Sequence, residues 1–213
     1  MRGTAALRPW AVAKIVVFLV CLIPAALLVW RAVADDLGAN PIEAVTLSTG
    51  RWTLRFLLIT LAITPLRRLT GWNRLITFRR MLGLFAFFYA SLHFATYVVV
   101  DQFFDWETIV EDIAKRPFIT VGFAALVLLV PLALTSTKGW IRRLGRRWQT
   151  IHRLVYVATA LAIVHFIWKV KSDLRDPLFY ASILAVLLGF RVFWWIGAKR
   201  RLNSSTPFAA DPR

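Results

Sequence analysis

Residues 81–100 read MLGLFAFFYASLHFATYVVV and contain no Asp, Glu, Lys or Arg. A helix needs about 20 apolar residues to cross the hydrocarbon core of a bilayer. Arg79 and Arg80 lie before this stretch, and Asp101 follows it. The stretch therefore predicts a membrane-spanning helix, with its histidine, His93, inside the membrane.

The rest of the chain is similarly apolar. Of its 213 residues, 59% are hydrophobic, whereas an ordinary soluble domain has roughly 45–50%. We predict an all-α integral membrane protein, a six-span transmembrane helical bundle. The second span is the weakest, because Arg51 and Arg55 interrupt its start. The predicted spans are 11–33, 49–66, 80–100, 118–136, 148–170 and 177–198.

Positive charge is distributed unevenly among the loops. The formal net charge of +16 would suggest a nucleic-acid partner in a soluble protein. Here the N-terminal region (Arg2, Arg8 and Lys14), the loops 67–80 and 138–153 and the tail 199–213 hold 18 of the 27 Lys and Arg residues and one acid, Asp211. Cytoplasmic loops are enriched in Lys and Arg. We therefore predict cytoplasmic N- and C-termini, contacts with membrane lipids and no nucleic-acid partner.

The chain divides into three predicted segments. These are a cytoplasmic N-terminus over 1–10, a transmembrane domain over 11–198 and a disordered cytoplasmic tail over 199–213. Ala32-Val33-Ala34 resembles a signal-peptidase site, but the apolar run Ile15–Trp30 exceeds a signal h-region of about 7–15 residues. We expect the first span to be retained, and cleavage is the alternative.

Two of the three histidines lie in a repeated pattern. The motif A-x3-A-x2-H-F covers residues 86–94 and again residues 158–166. On a helix, positions three and seven before a residue share its face. His93 and His165 are therefore expected beside small side chains, which leave room for a flat, bulky group.

The two repeated histidines are predicted at one depth. Spans three and five run in the same direction, and each histidine lies roughly 18–20 Å beyond a basic anchor, Arg80 or Arg153. Two histidines in the outer half of the membrane can hold the iron of one b-type haem from both faces. The sequence has no C-x-x-C-H motif, which excludes covalent c-type haem. The alternative is that each imidazole hydrogen-bonds to a neighbouring helix.

His152 lies nearer the predicted cytoplasmic surface, roughly 20 Å from His165 along the helix. A second haem at that depth needs another ligand, and span three offers only Arg79, Arg80 and Met81 there. Met81 could ligate iron in principle, so His152 is kept as a candidate ligand of a second haem, although Met81 fits a core position better. The alternatives are a flavin or quinone site, or a purely interfacial position.

Arginines near the span ends are normally topology determinants. Some are also candidate partners of haem propionates or a flavin phosphate, because the guanidinium group binds both bidentately. For the inner side the candidates are Arg79, Arg80, Arg146 and Arg147, and for the outer haem they are Arg51 and Arg55.

Further motifs accompany the histidines. They are TPLR at 64–67, RRMLGL at 79–84 running to His93, TST at 135–137, and LGRRWQTIH at 144–152 running to His165. Together they resemble the MsrQ family, formerly YedZ, which belongs to the ferric-reductase-like transmembrane superfamily. The resemblance covers about 10–200 and implies that 11–198 is a ferric-reductase-like haem domain. Spans three and five of the superfamily usually each carry a histidine pair, whereas span three of this chain has only His93.

The resemblance implies a function. MsrQ proteins are haem-binding membrane subunits that pass electrons to a periplasmic molybdenum-cofactor methionine-sulfoxide reductase, MsrP, which repairs oxidised envelope proteins. The implied donor is the quinone pool or a cytosolic flavin reductase, and the implied cofactors are haem b, one or two, and FMN. The implied location is the bacterial inner membrane, with several passes. Since no dehydrogenase domain follows span six in the sequence, we expect a separate electron donor and a role as carrier rather than catalytic subunit.

Two rival functions remain at the level of sequence. Histidines inside a membrane can line a transport path, and the chain could instead be a cofactor-free anchor subunit. The acidic loop 101–112 is a candidate docking surface for the electron acceptor, and an ordinary solvated loop is the alternative.

Overall fold

The computed structural model describes residues 9–170 and 172–204, and every regular element in these two ranges is helical. A 3₁₀ turn, Asn73–Leu75, precedes the third α-helix, and a π-helical turn, Thr96–Asp101, continues it. The α-helices are α1 Pro9–Val33, α2 Pro41–Thr70, α3 Ile76–Ala95, α4 Trp106–Lys115, α5 Pro117–Leu134, α6 Lys138–Leu144, α7 Arg146–His152, α8 Leu154–Lys169 and α9 Arg175–Ser204.

Long apolar helices confirm the prediction of an all-α, multi-pass membrane protein. Within the described residues, five helical stretches are long and apolar enough to cross a membrane. Each corresponds to one of the predicted spans. They are Trp10–Val33, Asn73–Asp101, Pro117–Leu134, Arg146–Lys169 and Arg175–Ala198.

Helix α2 contains the remaining predicted span, 49–66, and is not among those five stretches. Its 30 residues nevertheless form an unbroken helix, which begins at the cap Asn40 and ends at Gly71 in a left-handed conformation, φ 70°. Helices α3, α8 and α9 pack against it, so its middle is buried, with Leu57 and Leu61 at most 1% exposed. Because its neighbours cover it, α2 needs less apolar surface than a helix that faces lipid.

Two helix pairs organise the bundle. The most extensive packing joins α2 to α3 and α5 to α8. Helix α1 is fastened to the first pair by Tyr89, whose hydroxyl donates to the Cys21 carbonyl (2.9 Å) and accepts from the Ala25 amide (3.1 Å). The hydroxyl thus bridges a carbonyl and an amide four residues apart in α1, where a helical hydrogen bond would otherwise form.

Helix α4 connects the pairs at the end opposite the basic loops. Asp105 caps it by accepting hydrogen bonds from the Thr108 hydroxyl (2.8 Å) and amide (3.2 Å), and these bonds lower the pKa of the Asp105 carboxyl. Asp112 is only 5% exposed and accepts from Tyr97 (2.9 Å) and pairs with Arg116 (3.0 Å). Carboxylates of the acidic loop therefore fix both ends of this small helix.

The ends of the chain are described in part. Helix α9 continues to Ser204, past the predicted end of the last span and into the segment 199–213, for which the sequence predicts a disordered tail. Most of the predicted N-terminal segment 1–10, and residues 205–213 of the tail, lie outside the described residues.

Candidate functional site

A cavity of about 530 Å³ lies between α2, α3, α5 and α8. His93 and His165 line it, together with Ala90 and Ala162 of the repeated pattern. The other alanines of the pattern, Ala86 and Ala158, are fully buried in the core. A cavity of this size falls within the range of about 300–1,000 Å³ that is usual for cofactor sites.

The two imidazoles face each other across a short gap. Their ring centres are 6.1 Å apart, and the ring planes are inclined at 79°. A metal–imidazole bond is about 2.0–2.1 Å and the bonding nitrogen lies about 1 Å from the ring centre, so two rings on opposite sides of one metal have centres roughly 6 Å apart. The observed separation fits axial ligation of a single iron.

The Nδ1 atom of each imidazole is held by a backbone carbonyl of another helix. His93 Nδ1 donates to the Thr46 carbonyl (2.9 Å), and His165 Nδ1 donates to the Phe118 carbonyl (2.6 Å). Since a carbonyl can only accept, each Nδ1 carries the proton and each Nε2 keeps its lone pair. This arrangement is typical of metal-ligating histidines, whose second nitrogen is fixed by an acceptor.

A glycine lies against each ring. A Cβ added to Gly50 would be 3.2 Å from His93 Nδ1, and a Cβ added to Gly122 would be 2.6 Å from His165 Nδ1. Sequence reasoning missed both glycines and both carbonyls. The signal was available, because each carbonyl lies 47 residues before its histidine and each glycine follows its carbonyl by one helical turn.

Two histidines, His93 and His165, line the cavity. Among the described residues, no group of three or more His, Cys, Asp or Glu side chains could hold a bare metal ion. The pair His93 and His165 therefore suits a metal whose other ligands come with it, as in a porphyrin. The arrangement favours a bis-histidine haem site over a transition-metal ion site.

Charged side chains lie at one end of this cavity. The lining residues include three cations, Arg51, Arg116 and Lys169, and two carboxylates, Glu43 and Asp101. Arg51 pairs with Asp176 (3.2 Å), while its Nε atom is buried without a partner. Arg55 does not line the cavity: it donates to the Tyr180 hydroxyl (3.1 Å) and lies over the Trp52 ring.

His152 lies in a separate, smaller cavity of about 230 Å³, which Arg79, Arg153 and Tyr156 also line. Its Nδ1 donates to the carbonyl of Trp148 (3.1 Å) in its own helix, and its ring stacks on that tryptophan at 3.9 Å. Its Nε2 is buried and has no partner. The lining residues of this cavity include no second histidine.

The other predicted arginines lie apart from both cavities. Arg80, Arg146 and Arg147 are exposed, and none of the three lines either cavity. Of the four inner candidates, the structure brings only Arg79 to His152.

Comparison with known proteins gives one family match. The family model described as "Ferric reductase like transmembrane component" matches residues 49–163, which extend from α2 through most of α8. No solved structure matches.

Curated relatives are similar over nearly the whole chain, and three of them share the name "Protein-methionine-sulfoxide reductase heme-binding subunit MsrQ". The protein from Xanthomonas euvesicatoria pv. vesicatoria is 55% identical over 208 residues, covering 94% of this chain and 95% of the relative. That from Herminiimonas arsenicoxydans is 54% identical, covering 94% and 93%. That from Ralstonia nicotianae is 56% identical, covering 88% of each.

Proposed function

The chain belongs to the MsrQ family of ferric-reductase-like membrane proteins, and from this premise we propose that it is the membrane haem electron-transfer subunit of a methionine-sulfoxide reductase. The observation that carries the proposal is the pair His93 and His165, with ring centres 6.1 Å apart and both Nδ1 atoms bound to carbonyls. In this proposal the chain carries electrons and performs no chemistry on methionine sulfoxide itself.

The residues of the large cavity would hold one haem b. His93 and His165 would hold its iron, and when bound the group would supply one-electron exchange between ferric and ferrous iron. The chain contributes position. The Thr46 and Phe118 carbonyls fix the rings and make the Nε2 lone pairs more basic, while Ala90 and Ala162 leave space for a planar group.

The charged end of the cavity suits the haem propionates. Arg51, Arg116 and Lys169 are cations that can pair with carboxylates there. The buried Nε of Arg51 has no partner, and a propionate would satisfy it. Arg55 serves packing instead, since its guanidinium is engaged by Tyr180 and Trp52.

We assign the inner cavity a second, different role. It offers one imidazole nitrogen, so a second haem at His152 would not be bis-histidine. Its volume of about 230 Å³ is below the roughly 300–1,000 Å³ of a whole cofactor site, so it would enclose only part of a ligand. Arg79 and Arg153 suit the phosphate of FMN, and a quinone head group is the alternative occupant.

We further propose a six-span protein of the bacterial inner membrane with both termini in the cytoplasm. In this proposal α2 crosses the membrane in addition to the five long apolar stretches. Arg79 and Arg153 come from two different basic loops and line one cavity, which supports a common end of the bundle for those loops. The positive-inside rule makes that end cytoplasmic. His93 and His165 then lie nearer the periplasm.

The partners follow from this orientation. Electrons would enter from the quinone pool or a cytosolic flavin reductase and leave towards a periplasmic MsrP-like molybdopterin reductase. The acidic loop is a narrower docking candidate than its five acids suggest, because Asp105 caps α4, Glu111 pairs with Lys115, and Asp112 is buried and pairs with Arg116. Asp101 and Glu107 remain as the candidate contacts for the acceptor.

The purified protein tests this function. With full haem supply during expression, we expect a coloured protein whose Soret band shifts on reduction. The reduced protein should be reoxidised when an MsrP-like acceptor and its substrate are added. A colourless protein would support the rival functions, a histidine-lined transporter or a cofactor-free anchor. A coloured protein that never reoxidises would contradict the proposed acceptor but not the haem site.

A further inference from the structure

Both histidines of the outer cavity are held by the same local arrangement of a helix carbonyl and a glycine. In α2, the carbonyl of Thr46 accepts from His93, and Gly50 follows four positions later. In α5, the carbonyl of Phe118 accepts from His165, and Gly122 follows four positions later. Each set therefore contains a carbonyl, a glycine four residues after it and a histidine 47 residues after it.

The glycine is required by helix geometry. The carbonyl of a helical residue already accepts the amide hydrogen of the residue four positions on. The Cβ of that later residue tilts towards the N-terminus, so it normally covers the carbonyl from the side. Without a Cβ, Gly50 and Gly122 leave the carbonyls open to a ring from another helix.

We propose that Gly50 and Gly122 are positioning residues of the haem site, which uncover the carbonyls that fix the two axial imidazoles, and that Gly122 is the stricter of the two. The proposal rests on the proposed function only for the group that the imidazoles hold. A Cβ at Gly122 would meet Nδ1, Cε1 and Cγ of His165 at 2.6, 2.9 and 3.0 Å, whereas one at Gly50 would come no closer than 3.2 Å to His93.

Alanine at either position should displace the ring and spare the helix. Alanine is a better helix former than glycine, so α2 and α5 should persist. At Gly122 the ring must move, because a Cβ contact under 3.0 Å is not tolerated; the bond to Phe118 is then lost and Nε2 turns away from the iron. At Gly50 a shift of a few tenths of an ångström restores ordinary contact.

The chain offers matched controls for the same substitution. A Cβ at Gly189 of α9 meets nothing within 4 Å, and one at Gly83 of α3 meets only Thr60 Cγ2 at 3.7 Å. Gly189→Ala and Gly83→Ala therefore report the general effect of alanine in a helix of this bundle. Gly83 belongs to the same helix as His93, which makes it the stricter control.

The experiment compares Gly122→Ala, Gly50→Ala and both controls with the wild type. The readouts are the haem affinity of each apoprotein, the low-spin EPR g-values, which depend on the relative orientation of the axial imidazoles, and helical content by circular dichroism. For Gly122→Ala we expect haem affinity to fall about 10- to 100-fold, as for loss of a partner that orients a ligand, with altered g-values and unchanged helicity. Gly50→Ala should show a smaller change in the same direction, and both controls should match the wild type.

Three results would overturn the inference. The first is wild-type affinity and g-values in both Gly122→Ala and Gly50→Ala. The second is an equal loss in the control variants, and the third is a larger loss in Gly50→Ala than in a folded Gly122→Ala. If Gly122→Ala does not fold, Gly50→Ala against Gly83→Ala decides. Failure of the proposed function looks different, because the wild type itself would then bind no haem.

Discussion

The outer and inner cavities each contain a histidine whose Nδ1 donates to a carbonyl, but the carbonyls belong to different places. In the outer cavity each acceptor lies 47 residues away on another helix. In the inner cavity the acceptor of His152 is Trp148, four residues away in the same helix. A bond between helices fixes a ring relative to the bundle, whereas a bond within one helix fixes it only to its own backbone.

This difference bears on what each cavity can hold. The outer cavity has two oriented imidazoles, small side chains and cations at its mouth, which together complete a site for a planar iron complex. The inner cavity has one imidazole, whose Nε2 is buried without a partner. The outer cavity therefore offers two oriented imidazoles to one ligand, whereas the inner cavity offers one.

Removal of a histidine from the outer cavity should have the largest effect on haem binding. His93→Ala and His165→Ala each remove an axial ligand, so we expect the bis-histidine haem signal to fall about 100-fold or more, beyond the 10- to 100-fold cost of losing an orienting partner. The measurement is haem stoichiometry with low-temperature EPR on purified protein. His152→Ala is the control and should retain the outer signal; its loss in that variant alone would reverse the roles of the two cavities.

The arginines of α2 provide a smaller test at the outer cavity. Arg51→Gln removes a cation from the cavity mouth, and we expect a cost of about 1 kcal/mol, or roughly fivefold in haem affinity, after allowing for solvent screening. Arg55→Gln is the matched control one turn along the same helix, and it should leave affinity unchanged because Arg55 does not line the cavity. Haem titration of the apoproteins measures both, and equal losses would remove Arg51 from the site.

The smallest expected effect concerns two carboxylates of the acidic loop. The double variant Asp101→Asn, Glu107→Gln should slow electron transfer to the acceptor roughly twofold at low salt, since exposed charge pairs contribute up to about 1 kcal/mol, and the difference should vanish at high salt. Asp112→Asn should instead lower thermal stability, because it disturbs the buried contact with Tyr97 and Arg116. Stopped-flow reoxidation measures the rate of the double variant, and thermal denaturation measures the stability of Asp112→Asn. A double variant that is reoxidised as fast as the wild type at low salt would argue against docking.

Local rules made much of the outer site predictable. The helical period and the distance from each basic anchor predicted that His93 and His165 lie at one depth, and the structure brings their rings together. These rules act along one helix or between parallel helices, so the sequence displays them directly.

Other features depended on packing between helices. The sequence predicts α2 as the weakest span because of Arg51 and Arg55, yet neighbouring helices bury more of it than of any other helix in the described residues. The two differ because hydropathy indicates contact with lipid and does not indicate burial by neighbouring helices. The acceptors at Thr46 and Phe118 are backbone carbonyls. Every residue has one, so the side-chain sequence does not indicate which carbonyl accepts from a histidine. Only the matched positions of Gly50 and Gly122 indicated them.

The axial ligands of the iron test the central claim most directly. Oxidised wild-type protein, grown with ¹⁵N-labelled histidine and studied by pulsed EPR, should contain a low-spin haem whose iron is coupled to two labelled imidazole nitrogens. One such centre per chain is the expected result. A haem iron with one histidine nitrogen or none, in protein whose haem content is full, would contradict the assignment of His93 and His165 as its two ligands.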